Sequence, residues 1–224
     1  MLLACLALAA AACGDDDDDA NTPSEQEQRD LLAGMVLTED DLADGLIELN
    51  RSFTNNEESA RGAADPEAEL EKFETWGRLL GLSVAFVLSP DAQGPQTFLA
   101  VQSDASLYND AQGCQLSYQD DVDRAKEADW ATSFPELTDV RVTEFDAAEI
   151  GGDESYWLRV VGKTQSEQPE LKAIDLLVLR VDRVRAFMRV EAEYLVDAPA
   201  DAGKGQTLIW AQIVEARIRQ ELGV

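Results

Sequence analysis

The chain has 224 residues, 45% of them hydrophobic, and carries a formal charge of −27 from 45 acids and 18 bases, with no histidine. That balance excludes nucleic acid as a partner, because such binding relies on Lys and Arg neutralising phosphates, and it disfavours docking on anionic lipid through the protein's own surface. The lack of histidine excludes Ser-His-Asp and Cys-His catalysis, His-ligated zinc or haem, and the usual switch at physiological pH.

The chain opens MLLACLALAAAAC. Leu2 to Ala12 is uncharged and apolar, yet far shorter than the ~20 residues that a bilayer span needs. A short apolar run ending in small residues is the pattern of a cleaved signal peptide, here residues 1–12. With Ala10, Ala11 and Ala12 followed at once by Cys13, the stretch resembles the lipobox of bacterial lipoproteins. The resemblance covers residues 1–13 alone. It implies cleavage before Cys13, a diacylglycerol on its sulfur, and location at the outer face of the cell membrane through that lipid. An ordinary secretory signal is the alternative.

Gly14–Asp30 follows, with eight acids, one Arg and no large apolar residue. A segment so poor in apolar surface reads as a disordered acidic tether over residues 13–30. Its five aspartates lack the turn that would preorganise oxygens around a cation. Residues 1–30 hold a net −7, which leaves −20 on a single domain over residues 31–224, a usual size for one core. Once the leader is removed only Cys13 and Cys114 remain, so no intramolecular disulfide is expected when Cys13 is lipidated.

Within the domain, 31–43 reads as an entry segment with a turn capped by Thr38, 45–54 as an irregular strand, and 55–64 as a loop. Asp65 as N-cap and Pro66 at the first helical position open a helix that the Leu70, Phe73, Leu80 spacing carries to Gly81. Alternation predicts strands over 82–89 and 97–108. A second long helix runs from Asn109 or Asp110 to about Asp129, with Cys114 on its core face as a small buried residue rather than a reactive thiol. Four strands follow, over 140–147, 155–163, 171–181 and 184–196. Only Asp182 and Arg183 separate the last two, the length of a tight hairpin, which would set Val181 opposite Val184, Leu179 opposite Ala186 and Leu177 opposite Met188. Residues 206–222 close the chain as an amphipathic helix with Ile209, Trp210, Ile213, Val214 and Ile218 on its stripe. The 173–179 run is apolar on both faces apart from Asp175, so that strand is central and covered on both sides. The fold class expected is α+β: a mainly antiparallel sheet of five to seven strands packed against two long helices and a C-terminal helix.

Two candidate sites stand out. Asp175, opposite Val190, would be a carboxylate in an apolar strand; buried, it either finds a Lys or Arg or has its pKa pushed up. Seven of the eighteen basic residues fall between Arg159 and Arg189. In the hairpin register Arg180, Arg185 and Arg189 share a face with Phe187, and Arg159 could join them as an anion or ligand patch, guanidinium forks being suited to carboxylate or phosphate. The competing reading is a solvated face on which Glu191, Glu193 and Asp182 pair with these arginines. GKGQT at 203–207 lacks the spacing of a phosphate loop, and no metal or cofactor site is expected.

The order helix, two strands, helix, several antiparallel strands, helix is similar to that of small extracytoplasmic domains such as PsbP-like lipoproteins and the external sensor domains of mycobacterial Ser/Thr kinases. No motif carries the resemblance, so no residue role comes with it. It implies a non-enzymatic binding or accessory module, with a small ligand or an envelope protein as partner. An envelope hydrolase using carboxylates such as Asp175, or a purely structural envelope lipoprotein, are the alternatives.

Overall fold

The structure, a computed structural model, describes residues 23–92, 97–167, 170–195, 198–199 and 201–224. Cys13, the signal-like stretch and the aspartate run lie outside the described residues. The first element, α1 (Glu25–Met35), corrects the expected tether boundary, since residues 25–30 are helical. Ser24 and Glu27 form a reciprocal capping box. The helix anchors itself with Leu32 and Met35, both fully buried. Composition alone made 25–30 read as coil; its apolar anchors lie one turn further on.

A 3-10 turn (Glu39–Asp41) leads to β1 (Leu46–Thr54). The expected loop then contains a short helix, α2 (Asn56–Ala60), capped by Asn55. Helix α3 (Pro66–Thr75) starts where predicted, under Asp65, but stops early. Gly77, at φ 64°, turns the chain straight into β2 (Arg78–Leu88). Gly81, expected to end the helix, instead lies in that strand, where a Cβ would sit 2.1 Å from Arg78 Nη2. The missing side chain makes room for the Arg78 guanidinium, which bonds Thr54, Asn56 and Ser106 through neutral oxygens; burial lowers its pKa to about 10.

Strand β3 (Phe98–Tyr108) precedes α4 (Ala111–Glu127), a one-turn α5 (Trp130–Ser133), the strands β4 (Leu137–Phe145), β5 (Glu154–Thr164), β6 (Leu171–Val181) and β7 (Val184–Tyr194), and finally α6 (Lys204–Leu222). The long helices are thus α4 and α6, at 17 and 19 residues, whereas α3 has only 10. All seven strands form one antiparallel sheet in the order β1-β2-β3-β7-β6-β5-β4. The β6–β7 hairpin has the expected register, including Val181 with Val184 and Leu177 with Met188. Its two-residue turn lacks glycine, and Asp182 accepts the left-handed conformation at φ 50°. The junction that joins the two halves is β3 against β7, which places β7 at the centre.

Each face of the sheet has its own cover. On one, Val84, Phe86, Leu107, Leu177, Leu179, Ala186 and Met188 pack against α1 and α6 through Leu32, Met35, Trp210, Val214 and Ile218. Ile209, expected on that stripe, is 49% exposed. The opposite face carries Ile174, Leu176 and Val178 from β6 and meets α4, through Tyr118 and Val122, and the α5 segment, through Trp130 and Phe134. The double burial of β6 is therefore as expected.

Helix α4 can sit so close to α3 because position 113 is glycine: a Cβ there would lie 1.8 Å from the Trp76 carbonyl oxygen. Gly205, in the first turn of α6, has open space around its Cβ position. We expect Gly113→Ala to force α4 off its seat and lower stability by ~1–3 kcal/mol or more, and Gly205→Ala to raise it by up to ~1 kcal/mol. Urea denaturation of the two variants, read against the parent, measures both.

Candidate functional site

The sheet face under α4 and α5 is incompletely covered. Between the C-terminal half of α4, the α5 turn and strands β3, β5, β6 and β7 lies a cleft of about 560 Å³. Period-two alternation along the strands supplies its floor: Tyr156 from β5, Leu176 and Val178 from β6, and Phe187 from β7. Trp130 and Phe134, rings 5.9 Å apart and nearly parallel, form the wall at one end. Asp129 holds that wall in place as N-cap of α5, and the Trp130 indole donates to the Ala125 carbonyl at 3.1 Å. The polar rim comprises Gln102, Asp104, Asp121, Arg124, Arg185 and Arg189. An apolar concavity with a few convergent polar groups is the usual form of a small-molecule site, and its volume falls within the ~300–1,000 Å³ such sites occupy.

The rim charges are largely matched. Arg185 Nη1 donates to Asp121, and Arg124 bridges Glu69 and Asp120 at 2.5 and 2.6 Å. Arg189 pairs with Glu191 at 2.5 Å, which Lys172 also reaches at 2.8 Å. Burial opposes the charge on Arg185, but the carboxylates of Asp121 and Asp104 and the Tyr108 phenol outweigh it and hold the pKa above its ordinary value. Among the described residues Asp104 has only neutral hydrogen-bond partners, Ser83 at 2.6 Å and Gln102 at 2.8 Å. Burial pushes its carboxyl above the ordinary 3.8, against those hydrogen bonds and the Arg185 charge. Arg185 Nε and Arg189 Nε are buried with no hydrogen-bond partner among the described residues. A buried donor left unmade costs about 1–3 kcal/mol.

Of the four arginines singled out in the sequence, Arg185 and Arg189 reach the cleft. Arg180 shares their face, opposite Arg185, but lies beyond the cleft and holds Glu154 at 2.7 Å and Asp153 at 3.2 Å. Arg159 does not join them. Its register partner is Asp175, itself opposite Val190, so strand parity sends it to the other face. The four-arginine patch is therefore not assembled.

Asp175 is saturated on that other face. It accepts from Arg159 Nε and Nη2, both at 2.7 Å, from Trp157 Nε1 at 2.8 Å and from Thr207 Oγ1 at 3.0 Å. Arg159 also donates to the Ala202 carbonyl at 2.8 Å. The side chains of the pair are 2% and 4% exposed and do not line the cleft. Asp175 is thus a structural tie between β5, β6 and the start of α6, and a hydrolase built on it finds no support. Cys114 is fully buried, as expected, and burial pushes its thiol up to about 12. Among the described residues no group of three or more acids and cysteines is placed to hold a metal ion, and no helix is long and apolar enough to cross a membrane. Sequence reasoning missed the aromatic wall. Trp130 and Phe134 lie just before Pro135, in the stretch between the second long helix and the strand expected from 140, and the signal that could have found them is the Asp129 cap ahead of Trp130.

Neither a protein-family profile nor a curated protein matches the sequence. Among solved structures, the extracellular domain of PknH from Mycobacterium tuberculosis is similar, with 10% identity and a TM-score of 0.47 over 84% of this chain and 96% of that one. Nothing about ligand, partner or activity is carried over at this level of likeness.

Two substitutions test the electrostatics. Asp175→Asn removes the carboxylate charge that faces the buried Arg159 guanidinium and should cost ~3–5 kcal/mol in chemical denaturation. Asp104 behaves oppositely. Because the folded protein holds its proton more tightly than the unfolded chain does, stability falls as pH rises from 3.8 through the raised folded value. Asp104→Asn removes that loss, so the variant gains on the parent across this interval and keeps a constant lead above it; denaturation curves at a series of pH values read the difference.

Proposed function

We propose that this protein is a non-enzymatic module that binds a small molecule in the cleft between α4, α5 and the sheet, and that a lipid on Cys13 holds it to the outer face of the cell membrane. The observation that supports binding is the cleft, where an aromatic wall and an apolar floor stand beside a polar rim. Concavity favours a small ligand over a protein partner, which needs a broader surface of roughly 800 Å² per side. The anchor is supported by the small-residue run before Cys13 and the acidic residues after it. The charge of −27 would keep the protein away from anionic headgroups, so a covalent lipid is the means of attachment consistent with it.

Native mass spectrometry of the full chain, extracted from its own membranes in detergent, tests both parts. We expect acyl mass on Cys13 and a co-purified small molecule that Ala128→Trp, which fills the cleft, displaces. A chain without added mass at that sulfur sinks the anchor. A wild-type chain that carries no small molecule, or a filled-cleft variant that carries as much, sinks the cleft.

A further inference from the structure

One end of the cleft floor is a carboxylate that the fold leaves without a counter-charge. Strand pairing sets Asp104 of β3 opposite Phe187 of β7, Phe187 opposite Val178 of β6, and Val178 opposite Tyr156 of β5. All four line the cleft. Neighbouring strands lie ~4.8 Å apart, so the row runs ~14 Å from the carboxylate, across two apolar side chains, to the phenol ring. The acids beside the rim arginines are committed: Asp121 to Arg185, Glu69 and Asp120 to Arg124, and Glu191 to Arg189 and Lys172. Asp104 instead accepts one hydrogen bond on each oxygen from the neutral Ser83 and Gln102. A carboxylate has about four acceptor sites, so each oxygen has room for a further donor. With Arg185 and Asp121 matched, this end of the row keeps an excess negative charge. At the other end the rings have cations of their own, Arg189 over Phe134 at 5.5 Å and Lys126 over Tyr156 at 5.4 Å. An anion in the cleft would be repelled by Asp104 and would have to take an arginine from its acid.

From this arrangement we infer that the cleft takes an amphiphilic amine, whose protonated nitrogen donates to Asp104 and whose apolar body lies over Phe187 and Val178 towards the Trp130–Phe134 wall. This rests on the cleft being the binding site. The floor and wall hold the body, and a hydrogen bond between two charged groups is roughly twice as strong as a neutral one. Burial already works against the Asp104 charge and raises its carboxyl above the ordinary range, so an ammonium that pairs with it offsets what the fold spends in keeping it there. The chain's charge of −27 draws cations towards the protein and leaves the choice among them to the cleft.

Three probes of one shape separate the classes: 2-naphthylmethylammonium, 2-naphthylmethanol and 2-naphthoate, titrated calorimetrically into the full chain at low and at high salt. The ammonium should bind about tenfold more tightly than the alcohol, the difference between a charged and a neutral hydrogen bond, with the ratio narrowing at high salt, and the naphthoate should bind weakest. In Asp104→Asn the ammonium and the alcohol should bind alike, the alcohol as it does to the wild type. Asp139→Asn removes an exposed acid outside the cleft and should leave the ratio unchanged, which separates Asp104 from the general charge of the chain. If the alcohol or the naphthoate binds as tightly as the ammonium, or the ammonium keeps its lead in Asp104→Asn, the inference fails while the cleft remains a ligand site. If none of the three binds, the cleft reading fails with it. Asp104→Ser serves where Asp104→Asn does not fold, and the order of the three probes on the wild type needs neither variant.

Discussion

A strand that is apolar on both faces must be covered on both, and β6 imposes that demand on the whole molecule. Leu177, Leu179 and Val181 face one way, and Ile174, Leu176 and Val178 the other. The first set is sealed by α1 and α6, whose Trp210 is fully buried. The second is met by α4 and the one-turn α5, with α3 tied to α4 through the Lys72–Asp120 and Arg124–Glu69 pairs, and these helices leave part of the face open. The uncovered remainder is the cleft. The site is therefore a consequence of how much helix the chain devotes to each side of the sheet.

The buried tie at Asp175 serves the sealed side. Charge is expensive to remove from water, and it is tolerated here because four donors converge on one carboxylate. Thr207 and the Ala202 carbonyl bring the first turn of α6 and its approach into the network, so the helix start is located on the sheet by hydrogen bonds as well as by packing. The aromatic neighbours extend it: Arg159 lies over Phe145 at 5.2 Å, and Lys204 over Phe145 and Trp157 at 4.7 and 5.5 Å.

On the open side the arginines behave differently. Exposed pairs contribute little to stability, but at the cleft rim each guanidinium is held by a carboxylate, while Asp104 is held by the neutral Ser83 and Gln102. Among the described residues the Nε–H groups of Arg185 and Arg189 have no hydrogen-bond partner, since an Arg has more donors than a single carboxylate can accept.

Features that depend on neighbours along the chain are legible in the residues alone. The Asp65-Pro66 start of α3, the two-residue β6–β7 turn and its register, the faces of Arg185 and Arg189, and the burial of Cys114 all follow from periodicity and capping, which act over a few residues. Features that depend on segments far apart emerge only when the chain is folded. The β3–β7 junction, the meeting of Arg159 with Asp175 on the face away from the other arginines, the helical fate of residues 25–30, and the aromatic wall brought over the floor are such features. The physical reason is the same in each case. Alternation tells which face a side chain takes, but only strand pairing tells which other side chains share that face and which helix comes to cover it.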